Sequence, residues 1–381
     1  MVGRNWFVWQ MTGSPLLLGL MNFSRAFPRL VFGVYAGVLA DRVDKRRVLF
    51  VAEGLTMVMK FAMAVLITTG WIKIWEVFAL AFFSGVSMSF VGPSRQSMTP
   101  YLVPREELLN AVSLLRGAGY VLRMVVPAAA GVLIDIIGVD GVYYIAGVTY
   151  FFIIFTTWMI RMPTRAVREK ATTAWADMRG MATYVAGHAT ILRLMLLSLV
   201  PMVFAMPYFT LLPIFATDVL NMGASGYGLL MGVSGVGAMV SAVALVTWGR
   251  SASNGWLLLA SIAMLGGFLV AFSASHWLLL SLLLMVGVGL ANMANRTLVQ
   301  TLLLSQAPQE MYGRVMSIHM LDQALMPFGS LLAGSLADVY SAPIALGSMA
   351  SVMIVLALVV GLSSPELMKL RPESRPTPVA G

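Results

Sequence analysis

Gly37-Val38-Leu39-Ala40-Asp41-Arg42-Val43-Asp44-Lys45-Arg46-Arg47 separates two long apolar runs, about 15–40 and 48–70. A charged segment this short between two such runs predicts a tight loop joining two membrane-spanning helices. Arg42, Lys45, Arg46 and Arg47 are basic, and loops rich in Lys and Arg stay on the cytoplasmic side. Gly33 and Gly37 lie one helical turn apart, which lets a neighbouring helix approach closely. Asp41 falls at the membrane face of the loop, where a negative charge suits the N-terminus of another helix.

The rest of the chain agrees with that reading. Hydrophobic residues make up 59% of 381 and charged residues 11%, whereas a soluble domain carries roughly a quarter charged residues. This is the composition of an all-α polytopic membrane protein. Further apolar runs follow at about 76–97, 109–137, 142–160, 190–216, 226–248, 256–273, 277–304, 314–338 and 341–363. The net charge of +9 comes from alternate loops, Asp41–Arg47, Arg95–Glu107, Arg161–Arg193, Arg250, Arg314 and a tail with Lys369, Arg371 and Arg375. The opposite loops hold Lys73 as their one Lys or Arg, beside Glu76, Asp135, Asp140, Asp218 and Asp338. That asymmetry makes the first set cytoplasmic and implies topology rather than nucleic-acid binding. With no cysteine the chain has no disulfide and no thiolate metal site, and no metal or cofactor is expected. No phosphate-cradling Gly-Lys-Ser/Thr loop and no His-Glu-x-x-His run occurs, which argues against ATP hydrolysis and against an enzyme.

Asn5 to Met11 is apolar but too short to cross about 30 Å of hydrocarbon, which takes roughly 20 residues. Thr12-Gly13-Ser14-Pro15 then reads as a turn. The first helix is expected to be truncated, with roughly 20 to 30 residues of it missing. The expected organisation is an N-terminal bundle over 1–160, a cytoplasmic linker over 161–189, a C-terminal bundle over 190–363 and a cytoplasmic tail over 364–381. Within the linker, Trp175, Met178, Ala182 and Val185 share one helical face, as in an interfacial amphipathic segment.

The two halves resemble each other. Val112-Ser113-Leu114 leads to Ala130-Gly131 and Asp135, and Met316-Ser317-Ile318 leads to Ala333-Gly334 and Asp338. Gly13 and Leu20-Met21 shift by one interval onto Gly223 and Leu230-Met231. Parallel internal repeats of this kind are found in transporter folds.

Two motifs carry a family resemblance. Gly37-x-Leu39-Ala40-Asp41-Arg42 followed by Lys45-Arg46-Arg47 resembles the loop between helices two and three of major facilitator superfamily transporters. Pro93-Ser94-Arg95-Gln96, Pro100, Leu102-Val103-Pro104 and Leu108-x-Asn110-Ala111 resemble the transmembrane secretion effector branch, which includes the enterobactin exporter. Thr12-Gly13-Ser14-Pro15, Gly313-Arg314-Val315-Met316-Ser317 and the stretch from Pro327 to Gly334 are similar to the same branch. The resemblance implies the major facilitator fold, two six-helix bundles related by pseudo-twofold symmetry that rock around a central cavity. Val126-Pro127 departs from the Gly-Pro of many antiporters, and Asp44 replaces a frequent glycine, so the backbone there need not take a positive φ.

Candidate functional residues follow from this frame. A gating latch is expected from Gly37, Asp41, Arg42, Arg46 and Arg47, with Asp41 against Arg314. Ionisable residues inside the membrane each cost at least about 2.5 kcal/mol at a helix centre unless paired or wetted. Those singled out for proton coupling are Asp322, His319, Glu53 and Arg123. Asp322 is expected to meet Arg116 or Arg123, and Glu53 to neutralise an arginine of the second helix, Arg25 or Arg29. The substrate cavity is expected to draw on Phe82, Phe83, Ser87, Phe204, Tyr208, Asn292, Asn295 and Arg296, a lining suited to amphipathic organic molecules. If Arg296 faces it, anionic or siderophore-like solutes are favoured.

The function expected is a proton-coupled exporter of drugs or siderophore-like metabolites, a monomer in the inner (plasma) membrane with a cytoplasmic C-terminus. The alternatives are an importer or lipid transporter of the same fold, or a truncated membrane protein that transports nothing.

Overall fold

The computed structural model describes residues 1–160, 185, 187–248, 254–308, 311–319, 322, 325–364, 368 and 370. Among them there is no strand, and the helices are α1 (Val2–Thr12), α2 (Pro15–Arg42), α3 (Lys45–Thr68), α4 (Ile74–Leu102), α5 (Leu108–Met159), α6 (Ala189–Phe204), α7 (Tyr208–Ile214), α8 (Ala224–Trp248), α9 (Gly255–Ser273), α10 (Leu278–Gln306), α11 (Tyr312–His319), α12 (Met326–Val339) and α13 (Ala342–Ser363). Eight helical segments among the described residues are long and apolar enough to cross a membrane. One of them contains two of the runs expected from the sequence, because α5 breaks at Gly138, whose φ of 77° is open to glycine but strained for other residues.

The charged stretch after Gly37 is shorter as a loop than its sequence suggests. Helix α2 continues through Asp41 to Arg42, and α3 begins at Lys45. Asp44 makes the abrupt restart possible. Its carboxylate accepts a hydrogen bond from the Arg46 amide at 3.0 Å, and its φ is −55°. A side-chain N-cap thus takes the place of a glycine turn.

The helices form two compact units. Unit 1 comprises Met1–Asp177, Pro207–Gly232 and Pro327–Ala345, and unit 2 comprises Met178–Met206, Val233–Met326 and Leu346–Gly381. These units differ from the halves expected at 1–160 and 190–363. Segments of α7, α8 and α12 belong with α1 to α5, and the contacts described below are the physical reason. The chain passes between units at Asp177–Met178, Met206–Pro207, Gly232–Val233, Met326–Pro327 and Ala345–Leu346.

Each unit is held by backbone-close helix crossings. In unit 1 a Cβ on Gly85 of α4 would lie 1.9 Å from the Arg25 carbonyl oxygen of α2. In unit 2 a Cβ on Gly289 of α10 would lie 1.8 Å from the Ser234 carbonyl oxygen of α8. Small residues at such crossings replace the hydrophobic drive that lipid removes.

Candidate functional site

Unit 1 contains two carboxylate caps built alike. Asp135 of α5 accepts from the Ala224 amide at 3.1 Å and the Ser225 amide at 2.9 Å, at the start of α8. Asp338 of α12 accepts from the Ser14 hydroxyl at 3.0 Å and the Leu16 amide at 3.4 Å, at the start of α2. A carboxylate satisfies amides that a helix start leaves unpaired and is attracted by its dipole. Further along each pair the backbones nearly touch. A Cβ on Gly131 would lie 2.4 Å from the Ala224 carbonyl oxygen, and one on Gly334 would lie 2.5 Å from that of Pro15. Around them Trp9 donates its indole N–H to the Thr217 hydroxyl at 2.8 Å, and Thr210 donates its hydroxyl to Ser330 at 3.1 Å. The sequence places Asp135 and Asp338 in a repeat but does not assign them this role. Their matched positions next to Gly131 and Gly334 were the available signal.

Glu53 has a partner other than the one expected. Its side chain is fully buried, and Oε1 accepts from Arg95 Nη2 at 2.7 Å and Nε at 3.2 Å. The Thr157 hydroxyl donates to Oε2 at 3.1 Å. The pair therefore joins α3 to α4, and no helix-two arginine takes part in these contacts. Arg46 donates to the carbonyl of Trp158, the residue after Thr157. Arg123 is exposed on α5. Gly37, Asp41, Arg42, Arg116 and Arg314, on which the expected latch and the expected partner of Asp322 fall, have side-chain positions outside the described residues, and the amphipathic helix expected at 174–185 falls almost wholly outside them.

Of the expected cavity residues, those in unit 1 lie in different surroundings. Phe82 and Phe83 make an edge contact at 5.7 Å, Ser87 is buried and donates to the Phe83 carbonyl, and Tyr208 is buried and stacked on Phe209 at 4.0 Å. In unit 2 a polar cluster forms on α10. Arg296 donates to Asn292 Oδ1 at 3.2 Å and contacts the Met206 sulfur at 3.4 Å, and Asn292 reaches the same sulfur at 3.8 Å. Buried Asn295 donates to the Ser261 hydroxyl at 3.5 Å. Phe204, half-buried, ends α6. Asp322, 5% exposed, places Oδ2 3.3 Å from His319 Nδ1, and Arg296 lies within electrostatic reach of that imidazole. The arrangement brings a carboxylate, an imidazole and a guanidinium to one buried locality of unit 2.

One residue absent from the expected set stands out. Arg4 of α1 is 8% exposed, and its Nε has no hydrogen-bond partner. It borders a pocket shared with Lys60, Ser84 and Tyr143. An arginine inside an apolar stretch was the signal, obscured because the first eleven residues are too short to read as a membrane span.

The family described as transmembrane secretion effector matches residues 1–375. The chain belongs to that family of major facilitator transporters. The Staphyloferrin A transporter of Staphylococcus aureus (strain NCTC 8325 / PS 47) is 26% identical over 345 residues, 89% of this chain and 85% of that protein. Multidrug efflux pump Tap of Mycolicibacterium fortuitum is 25% identical over 382 residues, covering 97% of this chain and 92% of the pump. Among solved structures, a bacterial homolog of the human lysosomal transporter Spinster, in an inward-facing and unoccupied conformation, superposes with a TM-score of 0.73 at 13% identity. That match covers 98% of this chain and 96% of the other, and it establishes the fold. The secretion effector chain is thus a multi-pass membrane transporter, in keeping with the absence of an enzyme motif from its sequence.

Proposed function

We propose that this chain exports amphipathic small molecules, among them drugs or siderophore-like metabolites, in exchange for protons. It works by alternating access from the plasma membrane, with its C-terminus in the cytoplasm. The observation that carries the reading is the buried Asp322 carboxylate beside His319 and within the neighbourhood of Arg296. In such a site burial favours the neutral acid and a nearby cation favours the carboxylate, so the proton's hold changes as water enters. The caps made by Asp135 and Asp338 serve as the seal on the side away from the basic loops. Asp41, Arg42, Arg46, Arg47 and Arg314 serve as the latch on the cytoplasmic side, and Asp41→Asn should slow turnover without removing the protein from the membrane. In unit 2, Met206, Asn292 and Arg296 offer an organic solute bearing a polar group a thioether, an amide and a guanidinium. The efflux and siderophore relatives support export as the direction.

Inverted membrane vesicles test this directly, with ethidium as a cationic and fluorescein as an anionic fluorescent probe. Acidifying the vesicle interior should drive several-fold accumulation of at least one probe above control vesicles, and nigericin should abolish it. Accumulation of neither probe, or accumulation that survives nigericin, would overturn the proposal.

A further inference from the structure

Among the described residues, three cations of unit 1 have no acidic partner. Arg4 and Arg25 each leave Nε without a hydrogen bond, and Lys60 Nζ rests 5.2 Å from the centroid of the Tyr143 ring. Arg4 and Arg25 lie within electrostatic reach of Lys60 and of each other. Among the described residues no ion pair involves any of the three. Among the described acids of unit 1, Glu53 holds Arg95, Asp135 and Asp338 cap helices, Asp44 accepts from the Arg46 amide, Asp140 accepts from Thr68, Glu76 accepts from the Lys73 amide, Asp218 accepts from Thr217, and Glu106 and Glu107 are exposed.

Position makes the cluster more costly. Arg25 lies ten residues into α2, and Lys60 lies eight residues before the end of α3, which at 1.5 Å per residue is about 12 to 15 Å from a helix end. Arg4 is buried and Arg25 and Lys60 are half-buried, and cations drawn from water that repel one another without counter-charges destabilise the empty protein. Such an arrangement is completed by an anion.

The pocket beside them has room for one. Arg4, Lys60, Ser84 and Tyr143 form its polar side and Met59 and Met63 part of its apolar side, and its free space of about 20 Å³ admits only a small group. It fits an acidic arm rather than a whole drug-sized molecule. We propose that this pocket is an anion subsite that takes a carboxylate group of the transported solute, with Lys60 and Arg4 as its charge-bearing residues and Arg25 reinforcing them. The apolar wall favours an organic acid over a hydrated inorganic anion. The inference rests on the transporter reading and narrows its substrate class to carboxylate-bearing solutes.

The test is equilibrium binding of tricarballylate to the purified full chain in phosphatidylcholine nanodiscs, with its trimethyl ester and inorganic phosphate as comparison probes. The expected result is saturable binding of tricarballylate, at least tenfold weaker binding of the ester and of phosphate, and at least tenfold loss of tricarballylate affinity in Arg4→Gln and in Lys60→Met. Both variants should melt at or above the temperature of the unsubstituted protein when no ligand is present, because each removes a cation that its neighbours repel. A merely structural role predicts lower melting temperatures instead. Equal binding of the ester, tight binding of phosphate, or no binding of tricarballylate overturns the proposal, and the unsubstituted protein decides these without any variant. Binding that disappears when phosphatidylglycerol replaces part of the phosphatidylcholine assigns the pocket to a lipid headgroup and also overturns it. Because no gradient is imposed, loss of binding with intact vesicle transport removes only this inference, whereas intact binding without transport removes the exporter reading.

Discussion

Asp135 accepts hydrogen bonds from the backbone at Ala224, 3.1 Å away, and so closes the start of α8 with the end of the first part of α5. Asp338 does the same for the start of α2 through Ser14 and Leu16. The two aspartates occupy equivalent places in the repeated sequence, and each sits beyond a glycine, Gly131 or Gly334, at which the paired backbones come together. A carboxylate on a helix N-terminus is worth about 0.5–2 kcal/mol, and its charge matters as well as its hydrogen bonds.

Asp135→Asn and Asp338→Asn should therefore loosen the same face of unit 1 by about 1 kcal/mol each. The chain has no cysteine, so a Ser225→Cys reporter labels against a clean background. Labelling by a membrane-impermeant maleimide from outside intact cells should quicken several-fold in Asp135→Asn. An unchanged labelling rate would show that the cap does not hold this face shut.

Gly131→Val should act by steric means on the crossing beside Asp135, and Gly19→Val on the crossing beside Asp338. A Cβ on Gly131 would lie 2.4 Å from the Ala224 carbonyl oxygen, and one on Gly19 would lie 2.6 Å from that of Ser330. Forcing a branched side chain into such a crossing costs about 1–3 kcal/mol. Both variants should melt at lower temperature in detergent and lose vesicle transport. Gly54→Val, where nothing lies within 4 Å of an added Cβ, should change neither.

The sequence made the membrane spans legible because apolar runs of sufficient length are close to sufficient evidence in a bilayer. It also made the repeat legible, because Gly131 with Asp135 and Gly334 with Asp338 recur in order. Side-chain pairing was harder to read. Glu53 is expected from the sequence to neutralise a helix-two arginine. The structure instead gives it Arg95, which is brought near by the packing of α3 on α4. Arg4 was missed for a different reason: periodicity needs a full span to register a charge as buried, and α1 has only eleven residues.

Glu53 and Arg95 should prove unequal partners. Glu53 is wholly buried, whereas the Arg95 side chain is 53% exposed. Arg95→Ala strands a buried carboxylate, at the scale of about 3–5 kcal/mol for breaking a buried pair. Glu53→Gln leaves an arginine that water can reach, and the amide can still accept from Thr157, so its cost should be clearly smaller. Thermal melts of both single variants and the double variant check this. Glu53→Gln should also retain gradient-dependent vesicle transport, because its contacts are those of a structural tie between α3 and α4.

Proton exchange through the buried locality of unit 2 is the central claim, and proteoliposomes containing a pH-sensitive dye test it most directly. Adding whichever of ethidium or fluorescein the vesicles accumulate should set off proton movement through the unsubstituted protein. It should set off none through Asp322→Asn, although that variant still binds the probe. Equal proton movement through both proteins would contradict the account.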